Sequence, residues 1–161
     1  MIFTAKTARA FAFADRAHWG QTRKYTEDPY IVHPIEVVSL IRQVQGHTED
    51  MICAAYLHDV VEDTSWSISA IQKRFGDVVA AYVEALTDPP KVPGVNRATR
   101  KHLERQRLAA APPEVQTIKL ADLISNTQFI VEHDPDFAKV YLREKRDLLA
   151  VMTQRGSPHD L

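Results

Sequence analysis

The sequence predicts an all-α protein, a single compact bundle of seven to nine helices. Three observations carry that reading. Apolar residues recur at helical spacing along most of the chain. No stretch shows the persistent alternation of a strand. The helical runs are separated by recognisable caps and breakers, with no internal repeat and no low-complexity tract.

The elements follow in order. Ile35, Val38, Ile41 and Val44 mark a helix that begins at His33-Pro34 and can end at Gly46. The run from Met51 to Thr64 predicts one apolar helix with His58 and Asp59 inside it and Glu62 and Asp63 at its end. Trp66, Ser67 and Ile71 have the spacing of a hydrophobic staple around a serine N-cap, and Gly76 suits the close of that helix. Val79, Tyr82, Val83 and Leu86 fall at i, i+3, i+4 and i+7, one buried stripe. Arg97 to Arg107 reads as a basic helix, for which a solvated face and contact with phosphates are equal readings. Pro112-Pro113-Glu114 opens a helix running to about His133. Asp134 before Pro135 is a cap and first-turn start for the last helix, which carries Phe137, Val140, Tyr141, Leu148 and Met152. Two polar loops interrupt the helices, at 23–29 and at about 88–96.

Composition bounds the function. The 161 residues contain 45% hydrophobic and 25% charged residues, an ordinary globular balance. A chain of this length buries roughly two thirds of its unfolded surface and needs no disulfide. Cys53 is the one cysteine, so no internal disulfide forms. The net charge of −1 argues against a nucleic-acid binder, which would show a basic excess or stripe. No apolar run approaches the ~20 residues of a membrane span. The opening MIFTAKTARAFAFADRAHWG lacks the pattern of a secretory signal. The expectation is a reduced, cytoplasmic protein without nucleic-acid or membrane partners, its oligomeric state open.

The chemistry lies where polar residues occupy core positions. His58, Asp59, Glu62 and Asp63 crowd together beside Val60 and Val61. Burying such groups without a partner costs several kcal/mol or neutralises them, by a rough estimate. A divalent cation is the economical compensation. Asp122 shares a helix face with Ile118, Ser125 and Phe129, which turns a carboxylate inward, and Asn126 stands one turn on. His33 begins a helix in the apolar setting of Ile31, Val32 and Ile35. His33, His58, Asp59 and Asp122 together make a set of two nitrogens and two carboxylates. Such ligation suits Mn²⁺, Fe²⁺, Co²⁺, Ni²⁺ or Zn²⁺ over an all-oxygen Ca²⁺ site. The expectation is that the distant segments converge on one ion.

These segments resemble a known family. Ala17-His18-x-Gly20-Gln21-x-Arg23-Lys24, Tyr30-Ile31-Val32-His33-Pro34, the run Leu57 to Thr64, Phe75-Gly76 and Ile118-Lys119-Leu120-Ala121-Asp122 occur in the order found in RelA/SpoT-type hydrolases. Those belong to the HD superfamily of metal-dependent phosphohydrolases, and the resemblance covers about residues 1 to 150. It implies an HD-domain helical bundle over 1–155, with 156–161 as a loose tail. It implies one Mn²⁺ on His33, His58, Asp59 and Asp122, and water activation by Glu62 and Asp63. Nucleotide contacts fall on Arg23, Lys24 and Asn126. The implied activity is that of a stand-alone small alarmone hydrolase, converting (p)ppGpp to GDP or GTP and pyrophosphate.

Two positions depart from the family. Leu123 stands where an arginine commonly follows the last ligand, and Gln128 where a basic residue follows the asparagine. The loop at 23–29 is also shorter than the family's. Fewer positive charges on that face leave a second reading open, an HD phosphohydrolase acting on an adenosine alarmone or on NADPH. A non-catalytic nucleotide-binding module and a purely structural hydrogen-bond network are the further alternatives.

Overall fold

The computed structural model describes residues 4–153. Within them the chain forms nine helices and no strand, apart from an isolated bridge between Thr22 and Pro29. The tail expected at 156–161, with its His159-Asp160 pair, lies outside the described residues.

The helices are α1 (Ala5–Ala17), α2 (Val32–Ile41), α3 (Glu49–Leu57), α4 (Val60–Asp63), α5 (Ile68–Phe75), α6 (Asp77–Leu86), α7 (Arg97–Ala109), α8 (Pro113–His133) and α9 (Pro135–Val151). Helix α3 is the axis of the bundle. Every residue from Met51 to Leu57 is buried, and α1, α2, α6 and α8 pack round it. A helix apolar on all sides can only sit inside. Its start is fixed by Thr48, whose hydroxyl accepts from the Met51 N–H, with Glu49 and Asp50 favourably placed in the first turn. Lys6 of α1 reaches across to Asp50, and Thr4 to Glu49, which ties the N-terminal helix to the axis.

Several local expectations hold. Ser67 caps α5 through the Ala70 N–H, and Asp134 caps α9 through the Phe137 N–H. Gly76 has φ of 93°, a conformation that side-chain-bearing residues avoid, and it lets α5 turn directly into α6. Val79, Val83 and Leu86 are buried as their spacing predicts, and Ile71 and Phe75 anchor α5. Ile35 and Val140, placed on buried stripes by the sequence, are instead 41% and 46% exposed.

The structure corrects two helix boundaries. Helix α2 closes at Ile41 rather than near Gly46, because Gln43 and Val44 donate to carbonyls three residues back and tighten the turn. The single helix expected from Met51 to Thr64 is two. The His58 imidazole takes the Ala55 carbonyl at 2.8 Å, and the axis breaks at His58-Asp59 before α4. The Asp63 N–H still donates to the Asp59 carbonyl, so the 59/63 spacing survives the break.

Candidate metal centre

Three elements deliver the four predicted ligands. His33 lies in the first turn of α2, His58 and Asp59 at the break after α3, and Asp122 midway along α8. His33, His58 and Asp122 are buried, and the Asp59 side chain is 20% exposed. Donor atoms of His33, His58 and Asp59 all lie within 4.8 Å of one another, and Asp122 approaches the two imidazoles. His33 Nε2 is 3.3 Å from His58 Nε2, 3.1 Å from Asp122 Oδ1 and 3.7 Å from Asp59 Oδ2. His58 Nε2 is 3.0 Å from Asp59 Oδ2 and 3.6 Å from Asp122 Oδ1. Donors bound about 2.1 Å from one ion lie about 3.0 to 3.5 Å from their neighbours in octahedral or tetrahedral arrangement. The observed separations are of that size.

The other ring nitrogens settle which atoms face the centre. His58 Nδ1 donates to the Ala55 carbonyl. His33 Nδ1 is 2.9 Å from Ser125 Oγ, whose hydroxyl donates to Glu36 Oε2 at 2.6 Å. Arg23 in turn donates to both Glu36 oxygens, at 3.1 and 3.2 Å. Each chain of bonds places the proton on Nδ1 and aims the Nε2 lone pair inward. Two such lone pairs 3.3 Å apart repel unless a proton or a metal ion lies between them. The electrostatics agree. Burial alone would discharge His58, yet Asp59 and then Asp122 hold its pKa well above the usual imidazole value. Asp59 is held below the usual carboxylate range by His58, and Asp122 by Lys119 and both imidazoles. The centre demands positive charge, and the donor set fits a divalent transition ion.

Tyr30 donates its hydroxyl to Asp59 Oδ2, Asn126 donates to Asp122 Oδ1 at 2.7 Å, and Lys119 donates to Asp122 Oδ2 at 2.9 Å. Lys119 is therefore engaged with its own helix, as its i−3 spacing predicts. Glu62 and Asp63 stand at the rim. Glu62 Oε2 accepts from the Asp88 N–H, and Gln21 donates to the Asp63 carbonyl. Desolvation of their carboxyl groups raises both pKa values above the ordinary range, and the neighbouring carboxylates add to it.

A cavity of about 240 Å³ joins these residues, lined also by Asp88 and, on its far side, Lys101, Glu104, Lys119 and Lys145. Of the residues assigned by resemblance to nucleotide contacts, Asn126 lines it, whereas Arg23 and Lys24 do not. Arg23 is 7% exposed, with its guanidinium 3.6 Å above the Phe129 ring. Lys24 bonds the Tyr25 hydroxyl at the surface. In the basic helix, Arg97 pairs with Glu144 and Arg107 with Asp88, while Lys101 turns into the cavity and pairs with Glu104. The sequence reading did not single out Glu36, Glu104 or Lys145. A signal existed for each. Glu36 is one turn on from His33, Glu104 one turn before the buried Leu108, and Lys145 lies on the Tyr141–Leu148–Met152 stripe.

Comparison with known proteins was made on this basis. The HD domain family matches residues 10–156. A probable guanosine-3′,5′-bis(diphosphate) 3′-pyrophosphohydrolase of Synechocystis is 38% identical over 150 residues, which cover 91% of this chain and 20% of that protein. The chain spans about a fifth of the length of this and the next curated relatives. The human pyrophosphohydrolase MESH1 is 34% identical over 134 residues, covering 82% of this chain and 73% of that protein. A solved structure described as a metazoan ortholog of SpoT that hydrolyses ppGpp superposes with a TM-score of 0.85 at 26% identity, covering 98% of this chain and 90% of that one.

Proposed function

The chain belongs to the HD-domain family, and on that footing we propose that it is a metal-dependent hydrolase removing the 3′-diphosphate of guanosine alarmones. The reaction takes (p)ppGpp and water to GDP or GTP and pyrophosphate. One observation carries the reading: donor atoms of His33, His58 and Asp59 all lie within 4.8 Å of one another, and Asp122 Oδ1, 89 residues from His33, is 3.1 and 3.6 Å from the two imidazoles. The names of the pyrophosphohydrolases of comparable length and fold support the substrate.

His33, His58, Asp59 and Asp122 would hold one divalent ion, Mn²⁺ in our reading. Such an ion, when bound, polarises a phosphoryl oxygen and makes water a better nucleophile near neutral pH. The remaining steps fall to the chain. Water attacks the phosphorus on the ribose 3′ oxygen, the bond to that oxygen breaks, and the nucleoside oxygen gains a proton. Glu62 and Asp63 are the groups placed to take the water proton and to return one to the departing 3′ oxygen. Their raised pKa values suit proton exchange better than ordinary carboxylates would. Asn126 fixes the Asp122 carboxylate and presents its amide at the cavity wall. Arg23 works behind the centre, holding Glu36 and through it Ser125 and His33. With this activity goes a cytoplasmic setting. No helix among the described residues is long and apolar enough to cross a membrane.

A nucleotide panel with Mn²⁺, resolved chromatographically, tests the proposal. The expected result is pyrophosphate released from ppGpp and pppGpp. No release from either, with turnover of an adenosine alarmone or of NADPH, would transfer the assignment to that nucleotide.

A further inference from the structure

We propose that Lys145, with Lys101 and Lys119 beside it, forms a subsite for the terminal phosphate of a diphosphate whose inner phosphate sits at the metal centre. The inference rests on the hydrolase reading and deepens it. It makes Lys145 the residue that distinguishes a diphosphate from a monophosphate.

Helices α7, α8 and α9 bring Lys101, Lys119 and Lys145 to the lining of the cavity that Glu62 and Asp63 also line. Lys101 Nζ is 2.6 Å from Glu104 Oε2, and Lys119 Nζ lies 2.9 Å from Asp122 and 3.8 Å from Glu104. Lys145 is 8% exposed, and among the described residues no hydrogen bond or ion pair reaches its ammonium. Its nearest aromatic contact is the Tyr141 ring, 5.0 Å from Nζ to centroid. The stem of Lys145 is buried while its residue lines the cavity, the arrangement of a cation that an entering anion can reach. Lys119 is paired with Asp122 and Lys101 with Glu104, so Lys145 is the lysine of this lining without an ion pair among the described residues. Against Glu104 and Asp122 the three lysines leave one positive charge in excess, carried by Lys145 and available to a terminal phosphate. Desolvation, and then the nearby Lys119, bring the Lys145 pKa down to about 8, a strain that an arriving anion relieves. The size agrees. At about 240 Å³ the cavity is below the roughly 300–1,000 Å³ of a site for a whole drug-sized ligand, and suits phosphates with the nucleoside outside.

The test is calorimetric titration of inorganic pyrophosphate and of orthophosphate into the purified, Mn²⁺-loaded protein, alongside ppGpp kinetics. Lys145→Met is expected to weaken pyrophosphate binding and lower kcat/KM for ppGpp, each roughly 10- to 100-fold. Orthophosphate binding should change less than about threefold, since it needs only the metal centre. Lys145→Arg should recover most of the pyrophosphate affinity. A structural role predicts instead a lower melting temperature with the pyrophosphate preference unchanged. The subsite proposal predicts an equal or higher melting temperature, because a charge held beside Lys119 and Lys101 has been removed. Pyrophosphate bound as tightly by Lys145→Met as by the parent, or not bound by the parent at all, overturns the subsite. If the parent fails to hydrolyse ppGpp while Lys145→Met still loses pyrophosphate, the hydrolase reading falls and the subsite stands.

Discussion

Replacing Ser125 by alanine probes the metal centre from behind, without touching a ligand. The Ser125 hydroxyl accepts from His33 Nδ1 at 2.9 Å and donates to Glu36 at 2.6 Å. The His33 side chain is only 3% exposed, so water cannot readily take over. Alanine leaves a buried N–H without an acceptor, at a cost of about 1–3 kcal/mol. The ring can escape part of that cost by moving its proton to Nε2, which places hydrogen where the lone pair must face the ion. Losing such a support typically weakens metal affinity about 10- to 100-fold, or about 1.4–2.7 kcal/mol. Calorimetric titration of Mn²⁺ into chelator-stripped protein reads the change directly. The dissociation constant of Ser125→Ala should rise by that factor, and Ser125→Thr, which keeps the hydroxyl, should stay near the parent. A Ser125→Ala protein binding Mn²⁺ within about twofold of the parent would refute the chain of bonds from Arg23 to His33 as a determinant of the centre.

Other outcomes follow from the same geometry. The double variant Glu62→Gln, Asp63→Asn should lose about 10²- to 10⁴-fold in turnover while binding Mn²⁺ normally; undiminished hydrolysis would remove both residues from the chemistry. Glu104→Gln leaves Lys101, Lys119 and Lys145 facing one another in a buried wall, and should destabilise the fold by roughly 3–5 kcal/mol in urea unfolding. In the parent, the lysines overcome desolvation and lower the Glu104 pKa below its usual 4.5. Its contribution is therefore complete above that value and lost as pH falls through the lower folded one. The corresponding acid-side slope in the stability profile should be missing from Glu104→Gln.

The helices and their ends were legible in the residues because they are encoded locally. Ser67, Gly76 and Asp134 act through backbone groups three or four positions away, and the stripe from Val79 to Leu86 depends on a period alone. The four candidate ligands could be picked out too, since an inward His or Asp among apolar neighbours needs compensation wherever it sits. Their meeting was a different matter. His33 and Asp122 are 89 residues apart and come within 3.1 Å because α2 packs directly against α8, which no local pattern specifies. The break at His58-Asp59 likewise follows from a side chain competing for the Ala55 carbonyl against helix propensity that favours continuation. Arg23 shows the same limit. The family resemblance assigned it a nucleotide contact, whereas its burial over Phe129 and its bonds to Glu36 are set by packing alone. Residue types and spacing set what each segment could do; the packing of helices decided which atoms face one another, because charge and coordination depend on distances that only the folded chain fixes.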